Sequence, residues 1–96
     1  MSVSVRVPTI LRTYTKGASE VTVEGSTLKD WTLTEVLDAL DASYPGIKGR
    51  VLDDSGELRR FVNVYVDNDD VRFAEGLQTK VGDGGQISII PAVAGG

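Results

Sequence analysis

Three short segments of the chain alternate valine with other residues, and this alternation constrains the fold more than any other feature. The segments are residues 2–7, 20–24 and 61–66, and each carries valine at every second position. Because successive side chains of a strand point to opposite faces of a sheet, one face of each segment is apolar. The pattern predicts three strands that bury their valines against a second layer. Residues 86–90, which end at a proline, are predicted as the last strand.

One segment has the spacing of a helix, and it supplies the second layer. Thr32 and Glu35 are placed to form a capping box, in which each side chain accepts a hydrogen bond from the backbone N–H of the other. The apolar residues that follow at helical spacing are Leu33, Val36, Leu37, Leu40 and Tyr44. Pro45 and Gly46 then end the pattern. The sequence therefore predicts an α+β fold with one main helix packed on one face of a mixed sheet, whose first and last strands lie side by side.

The remaining segments are predicted as connections. Residues 47–60 are polar and are expected to be irregular, and residues 71–73 are expected to form a minor edge strand. Residues 67–70 are predicted as an Asx-rich turn in preference to a calcium loop, because the ligand spacing, central glycine and closing glutamate of such a loop are missing. Leu77 is expected to fill the core from a loop. Residues 82–85 are predicted as a tight turn and not a phosphate loop, since no lysine follows.

Composition excludes most enzyme classes. The 96 residues are enough for one small domain and include no cysteine and no histidine, so disulfides, thiolate or imidazole metal sites and Cys or Ser/His nucleophilic catalysis are excluded. The net charge of -4 makes nucleic acid and anionic membranes poor partners. No apolar run is long enough to span a membrane. We therefore expect a cytoplasmic protein that is not an enzyme and holds no metal.

The carboxyl end is the one place where chemistry is expected. The domain is assigned to residues 1–91, and a flexible tail is assigned to residues 92–96. Glycines before a terminal carboxylate let an extended backbone enter a narrow slot of a partner, where the carbonyl can be activated. A frayed terminus is the alternative. The tail residues that would thread into a partner are Ala92, Val93, Ala94 and Gly95, with the reacting carboxylate on Gly96.

Three blocks carry a resemblance to a known family, namely residues 7–12, 60–73 and 89–96. The chain resembles the ThiS/MoaD family of ubiquitin-like sulfur carrier proteins, and among them the CysO-type carriers of actinobacteria. The resemblance implies a ubiquitin-like β-grasp fold. It also implies that an E1-like enzyme uses ATP to adenylate the Gly96 carboxylate, which is then converted to a thiocarboxylate. The chain itself would bind no cofactor and would act as a protein co-substrate.

The resemblance leaves the sulfur acceptor open. For CysO-type carriers it implies a PLP-dependent cysteine synthase that presents an activated serine, with a metalloprotease that trims the product chain afterwards. The alternatives are the large subunit of molybdopterin synthase and a thiosugar synthase of natural-product biosynthesis. Two further alternatives are a ubiquitin-like modifier that is joined to lysines and a β-grasp binding module with an inert tail.

Phe61 and Tyr65 are expected to share the open face of the sheet with Arg6 and Ile90, and to form an exposed apolar patch there. In related carriers this face docks the activating enzyme and the sulfur acceptor, so the resemblance implies that these four residues orient the tail on its partners. The alternative is that one or two aromatic residues are tolerated at the surface. Three arginines, Arg59, Arg60 and Arg72, either pair with an acidic partner or are solvated.

One segment departs from the family pattern. Residues 26–33 contain two Thr-Leu pairs where the family shows one, which indicates a short insertion. Trp31 lies within it. Its indole is expected either to cover the start of the helix or to contact a specific partner.

Overall fold

A computed structural model of the chain describes residues 2–24, 31–60 and 62–91. The strands and helices of this part are β1 (Ser2–Arg6), β2 (Glu20–Glu24), β3 (Trp31–Thr32), α1 (Leu33–Ser43), α2 (Lys48–Val51), β4 (Val62–Val66), β5 (Asp69–Asp70), β6 (Lys80–Val81) and β7 (Gln86–Pro91). Short 3-10 turns lie at Thr9–Leu11, Val71–Phe73 and Gly76–Gln78. The one main helix on a mixed sheet confirms the predicted α+β class. Of residues 26–33, where the insertion is predicted, residues 26–30 lie outside the described residues.

The main sheet has five strands in the order β2-β1-β7-β4-β5. The first strand β1 and the last strand β7 are parallel neighbours, with Arg6 opposite Ser88, as the sequence predicts. The β1–β2, β4–β7 and β4–β5 pairs are antiparallel. This order places β7 at the centre of the sheet.

The core lies between α1 and one face of this sheet. The alternating valines of β1, β2 and β4 point into it, together with Ile87 and Ile89 of β7. From the other side it receives Leu33, Val36, Leu37 and Leu40 of α1, which are at most 1% exposed. Leu77 packs against this core from its 3-10 turn, as predicted. Burial of these side chains is the main source of stability in such a two-layer domain.

Local hydrogen bonds fix both ends of α1. At its start, the Glu35 N–H donates to Thr32 Oγ1 at 3.3 Å and the Thr32 N–H donates to Glu35 Oε1 at 2.9 Å, which confirms the capping box. At its end, Asp41 Oδ1 accepts from the N–H groups of Gly46 and Lys48 at 3.0 and 3.1 Å. The helix therefore stops where the sequence predicts, because the Asp41 carboxylate binds the backbone that turns away.

Two turns hold the strands of the sheet in register. Asp67 and Asn68 join β4 to β5 with φ of 50° and 79°, values that Asx residues tolerate in two-residue hairpin turns. Asp67 Oδ1 also accepts from the Gln86 N–H at 2.9 Å, so this turn is tied to β7. Before β7, Gly84 has a φ of 78° and its N–H donates to the Ser2 carbonyl at 2.8 Å. The turn predicted at residues 82–85 is confirmed. Of the turn predicted at residues 67–70, only Asp67 and Asn68 form it, because Asp69 and Asp70 pair with β4 as β5.

The prediction that residues 47–60 are irregular is wrong in part. Lys48–Val51 form the short helix α2, and Leu52 pairs with Leu58 across a bridge. Between them the Asp53 carboxylate accepts from the N–H groups of Ser55 and Glu57 at 2.9 and 3.1 Å. Ile47 and Val51 are fully buried. Two apolar positions are too few to show a helical period, and for this reason the sequence does not reveal α2.

The expected edge strand at residues 71–73 is also wrong. The edge strand is Asp69–Asp70, and Val71–Phe73 form a 3-10 turn. Asp70 Oδ1 accepts from the Arg72 N–H at 2.9 Å, which starts this turn. Val71 is fully buried, whereas Phe73 is 90% exposed. Val71 and Phe73 lie on either side of Arg72 and show the alternation of a strand, but only Val71 enters the core.

The strands β3 and β6 form a second, two-stranded sheet, which the sequence does not predict. Trp31 and Thr32 of β3 pair antiparallel with Val81 and Lys80 of β6. Trp31 is only 5% exposed and belongs to the core. Its indole therefore covers the start of α1, which confirms the first of the two expectations for this residue. The alternative, a contact of Trp31 with a partner, is wrong because almost none of its surface reaches solvent.

Candidate functional site

The end of β7 is the last part of the chain that the structure describes. Ile90 lies opposite Asn63, and Pro91, the last described residue, lies opposite Val62 of β4. On the other side β1 runs parallel to β7 and ends beside it. The two strand ends border a shallow hollow of about 270 Å³, which is lined by Arg6, Val7, Pro8, Ser88, Ile89, Ile90 and Pro91. The predicted reactive tail, residues 92–96, follows directly and lies outside the described residues.

The two faces of β7 differ in burial. Ile87 and Ile89 are buried under α1, whereas Ile90 is 46% exposed on the opposite face. That opposite face is called the open face below, and it consists of the outward-pointing residues of the five-stranded sheet. In the described part of the chain, both α1 and α2 contribute their buried residues to the other face.

The structure brings three of the four predicted docking residues together. Arg6, Ser88 and Tyr65 lie in register across β1, β7 and β4 on the open face. Ile90 lies on the same face, two residues after Ser88. Tyr65 is half-buried, and Arg6 is exposed. The fourth predicted residue, Phe61, lies outside the described residues, as do Ala92, Val93, Ala94, Gly95 and Gly96.

The described part of the open face is more polar than the predicted apolar patch. Its apolar surface comes from Ile90 and the ring of Tyr65, and its other central positions are Ser4, Ser88 and Asn63. Arg6 Nε lies 3.7 Å from Glu20 Oε2, and both side chains are at least half exposed. Such an exposed pair contributes little to stability because water screens it. The Arg6 side chain therefore stays accessible to a partner.

Arg72 is a further residue of this face, and sequence reasoning left its role open. Its Nη1 donates to Asn63 Oδ1, and its Nη2 donates to the Arg59 carbonyl at 2.6 Å. Asn63 is the register partner of Ile90. Arg72 thus lies against β4, next to the register partner of Ile90 and one strand away from the end of β7. No local sequence pattern predicts the contact between Arg72 and Asn63, because it depends on the 3-10 turn that replaces the expected edge strand.

A larger hollow lies near α2 and has a different character. Its volume is about 530 Å³, and Leu52 and Leu77 contribute its apolar lining. Of its acidic groups, Asp41 and Asp53 bind backbone N–H groups of their own turns. The hydrogen bond from the Ser55 side chain is the main cause that lowers the pKa of Asp53 below its ordinary value of 3.8. These carboxylates therefore serve the local turns.

No group of three or more acidic side chains in residues 2–24, 31–60 and 62–91 is arranged to hold a metal ion. In the same residues no helix is long and apolar enough to cross a membrane.

Comparison with known proteins agrees with this geometry. The ThiS family model matches residues 5–96. The chain is 48% identical over 98 residues to the sulfur carrier protein CysO of Mycobacterium tuberculosis, and the match covers 100% of both chains. It is 40% identical over 67 residues to small archaeal modifier protein 3 of Haloferax volcanii, which is 70% of this chain and 72% of that protein.

A solved structure gives the same result for the fold. The crystal structure of the BexX/CysO complex of Amycolatopsis orientalis contains a chain that is 45% identical to this one. The two chains superpose with a TM-score of 0.85 over 98% of this chain and 99% of that chain. This likeness confirms the ubiquitin-like β-grasp fold that the resemblance implied. The chain therefore belongs to the ThiS family and is a homologue of the CysO sulfur carrier proteins.

Proposed function

We propose that this protein, a sulfur carrier of the ThiS family, holds its sulfur as a thiocarboxylate on Gly96. The observation that carries the proposal is the family match through residue 96, which includes the Gly95-Gly96 pair. The cysteine count agrees with it, because a sulfur carrier without cysteine must bind sulfur through another group. The protein is a small carrier whose reacting atoms are those of its own terminal carboxylate.

The chemistry divides into two steps on the Gly96 carboxylate. First, a carboxylate oxygen attacks the α-phosphorus of ATP on an E1-like enzyme, and pyrophosphate leaves. The resulting acyl adenylate is a mixed anhydride with a good leaving group. Second, hydrosulfide attacks the acyl carbon, loses its proton and displaces AMP, which leaves the thiocarboxylate. The partner enzyme supplies the ATP site, so the carrier needs no cofactor of its own.

The described geometry supports this assignment of roles. The central strand β7 ends at Pro91, which lies next to Arg6 and Ile90. We assign Arg6, Tyr65 and Ile90, together with Phe61 from the sequence, to the surface that orients the tail on its partners. Exposed aromatic, aliphatic and arginine side chains are the residue types that dominate binding energy in protein interfaces.

The acceptor that we favour is a PLP-dependent cysteine synthase, with a metalloprotease that trims the chain afterwards. The full-length likeness to proteins named CysO supports this choice over molybdopterin synthase or a thiosugar synthase. Because the activating step consumes ATP, we place the reaction in the cytoplasm.

A second candidate function is the covalent modification of proteins. The 40% identity to a small archaeal modifier protein favours it. The same acyl adenylate would then be passed on to a lysine amine, which forms an isopeptide bond in place of the thiocarboxylate. The two functions share the activation step and differ in the nucleophile.

The experiment is intact-mass spectrometry of the protein with its E1-like enzyme, ATP and sulfide. We expect a species heavier by the difference between sulfur and oxygen, with fragmentation placing the sulfur at Gly96. The matched control is Gly96→Ala, which should fold normally and react poorly because a methyl group must enter a slot shaped for glycine. If wild-type protein gives only the carboxylate, while lysine-linked conjugates appear in cells, the modifier function replaces the carrier function.

A further inference from the structure

The charge on Arg72 has no acidic counterpart among the described residues. Its two side-chain hydrogen bonds go to the amide oxygen of Asn63 and the carbonyl of Arg59, both of which are neutral. The ion pairs of the described part are Arg6–Glu20 and Lys48–Asp38. The nearby Asp70 uses Oδ1 to accept from the backbone N–H of Arg72. The guanidinium of Arg72 therefore forms no ion pair with a described residue, in a protein whose net charge is -4.

The same two hydrogen bonds hold the guanidinium in place. A guanidinium carries five N–H groups in a planar fork, and the bonds to Asn63 and Arg59 use one on each terminal nitrogen. The other N–H groups have no acceptor among the described residues, and Arg72 is exposed. A fixed fork loses little side-chain entropy when it binds, and its geometry matches a carboxylate through two parallel hydrogen bonds.

Arg72 is also placed one strand away from the end of β7. It is bonded to Asn63, which pairs with Ile90 of β7, while Arg6 lies on the other side of β7 opposite Ser88. Arg6 and Arg72 thus lie on opposite sides of β7, Arg6 on the neighbouring strand β1 and Arg72 against the neighbouring strand β4. Arg6 forms an ion pair with Glu20 at 3.7 Å, whereas the guanidinium of Arg72 forms no ion pair with a described residue.

We propose that Arg72 is a docking residue that binds an Asp or Glu carboxylate on the surface of the E1-like adenylating enzyme. This inference rests on the proposed function and names the chemistry of its partner surface. If the five tail residues were fully extended, Gly96 would lie up to about 18 Å from Pro91. Arg72 lies one strand away from the start of this span. Arg72 would therefore contact the protein surface of the E1-like enzyme where the tail enters it. It would not reach the phosphates of ATP, which lie where Gly96 reacts.

The test compares charge variants in the activation reaction, with pyrophosphate release as the readout. For Arg72→Glu at about 0.1 M salt we expect KM for the carrier to rise at least tenfold, with kcat within twofold of wild type. Arg72→Lys should give an intermediate KM, because it keeps the charge and loses the fork. The matched control is Arg50→Glu, since Arg50 is exposed on α2 and its Nε is bonded to the Tyr14 hydroxyl at 2.6 Å. Its KM should stay within twofold of wild type.

Salt separates a charge effect from a structural one. Raising the salt to about 1 M shortens the Debye length from about 10 Å to about 3 Å. The ratio of KM between Arg72→Glu and wild type should then fall to within threefold. A ratio that persists at high salt would mean that the variant loosens the Asn63 and Arg59 contacts, and this would overturn the proposal. If Arg72→Glu does not fold, Arg72→Gln replaces it, since glutamine keeps an amide N–H donor and removes the charge.

The remaining outcomes also decide the question. An unchanged or lower KM for Arg72→Glu at low salt overturns the docking role. An equal rise in KM for Arg50→Glu overturns it as well, because net charge alone would then explain the effect. If wild-type protein releases no pyrophosphate and gains no sulfur, the proposed function itself fails, and the inference fails with it.

Discussion

Neighbouring residues of β4 give a sharp test of the two faces of the sheet. Val64 is fully buried under α1, whereas Tyr65 lies on the open face opposite Ser88. Truncating Val64 to alanine removes two methyl groups, which cost about 1.6 kcal/mol in transfer free energy. With the cavity left behind, Val64→Ala should lower the free energy of unfolding by about 2–3 kcal/mol. For a domain of this size, this corresponds to a fall in Tm of about 10–20 °C.

The matched variant Tyr65→Ala should behave differently. Tyr65 loses cross-strand contacts and little core packing, so the free energy of unfolding should fall by about 1 kcal/mol or less. Both proteins should stay folded at 25 °C, because a domain of this length has a stability of about 5–14 kcal/mol. Activation of Gly96 should show the reverse order, with Tyr65→Ala slower than wild type and Val64→Ala close to it.

Urea unfolding measures both variants, with the fluorescence of the single tryptophan as the signal. The midpoints should differ while the slopes stay equal, since the surface exposed on unfolding is nearly the same. The reasoning would be refuted if Tyr65→Ala destabilised the protein as much as Val64→Ala. In that case Tyr65 would belong to a core, and it could not serve as part of a docking surface.

The other predictions concern α1, the indole and acid stability. Replacing Thr32 with alanine removes the hydroxyl that accepts from the Glu35 N–H, and thermal unfolding should show a loss of about 1 kcal/mol. Because Trp31 is buried, native fluorescence should be blue-shifted relative to unfolded protein, and emission typical of a solvated indole would contradict its placement. The pKa of Asp53 is lowered chiefly by the Ser55 side-chain hydrogen bond, so its contribution to stability is full above about pH 3.8 and is lost as the pH falls through the folded pKa. Asp53→Asn should therefore flatten the acid side of the stability profile measured by urea unfolding.

The sequence by itself determined the elements that depend on neighbouring residues. Alternating valines predict the main strands because a strand exposes every second side chain on one face. Thr32 and Glu35 predict the start of α1 because both partners of the capping box lie within one helical turn. The carboxyl-terminal glycines and the family resemblance likewise nominate Gly96 without any knowledge of the fold.

Tertiary structure alone decided the features that join distant parts of the chain. Trp31 and Val81 pair across the small second sheet, and two-residue strands are too short to show a period. Arg72 meets Asn63 only because Asp70 starts a 3-10 turn where the sequence suggests a strand. Such contacts depend on how distant elements pack against each other, and a local sequence pattern does not predict this packing. The placement of Arg72 one strand away from the end of β7 therefore had to be read from the folded protein.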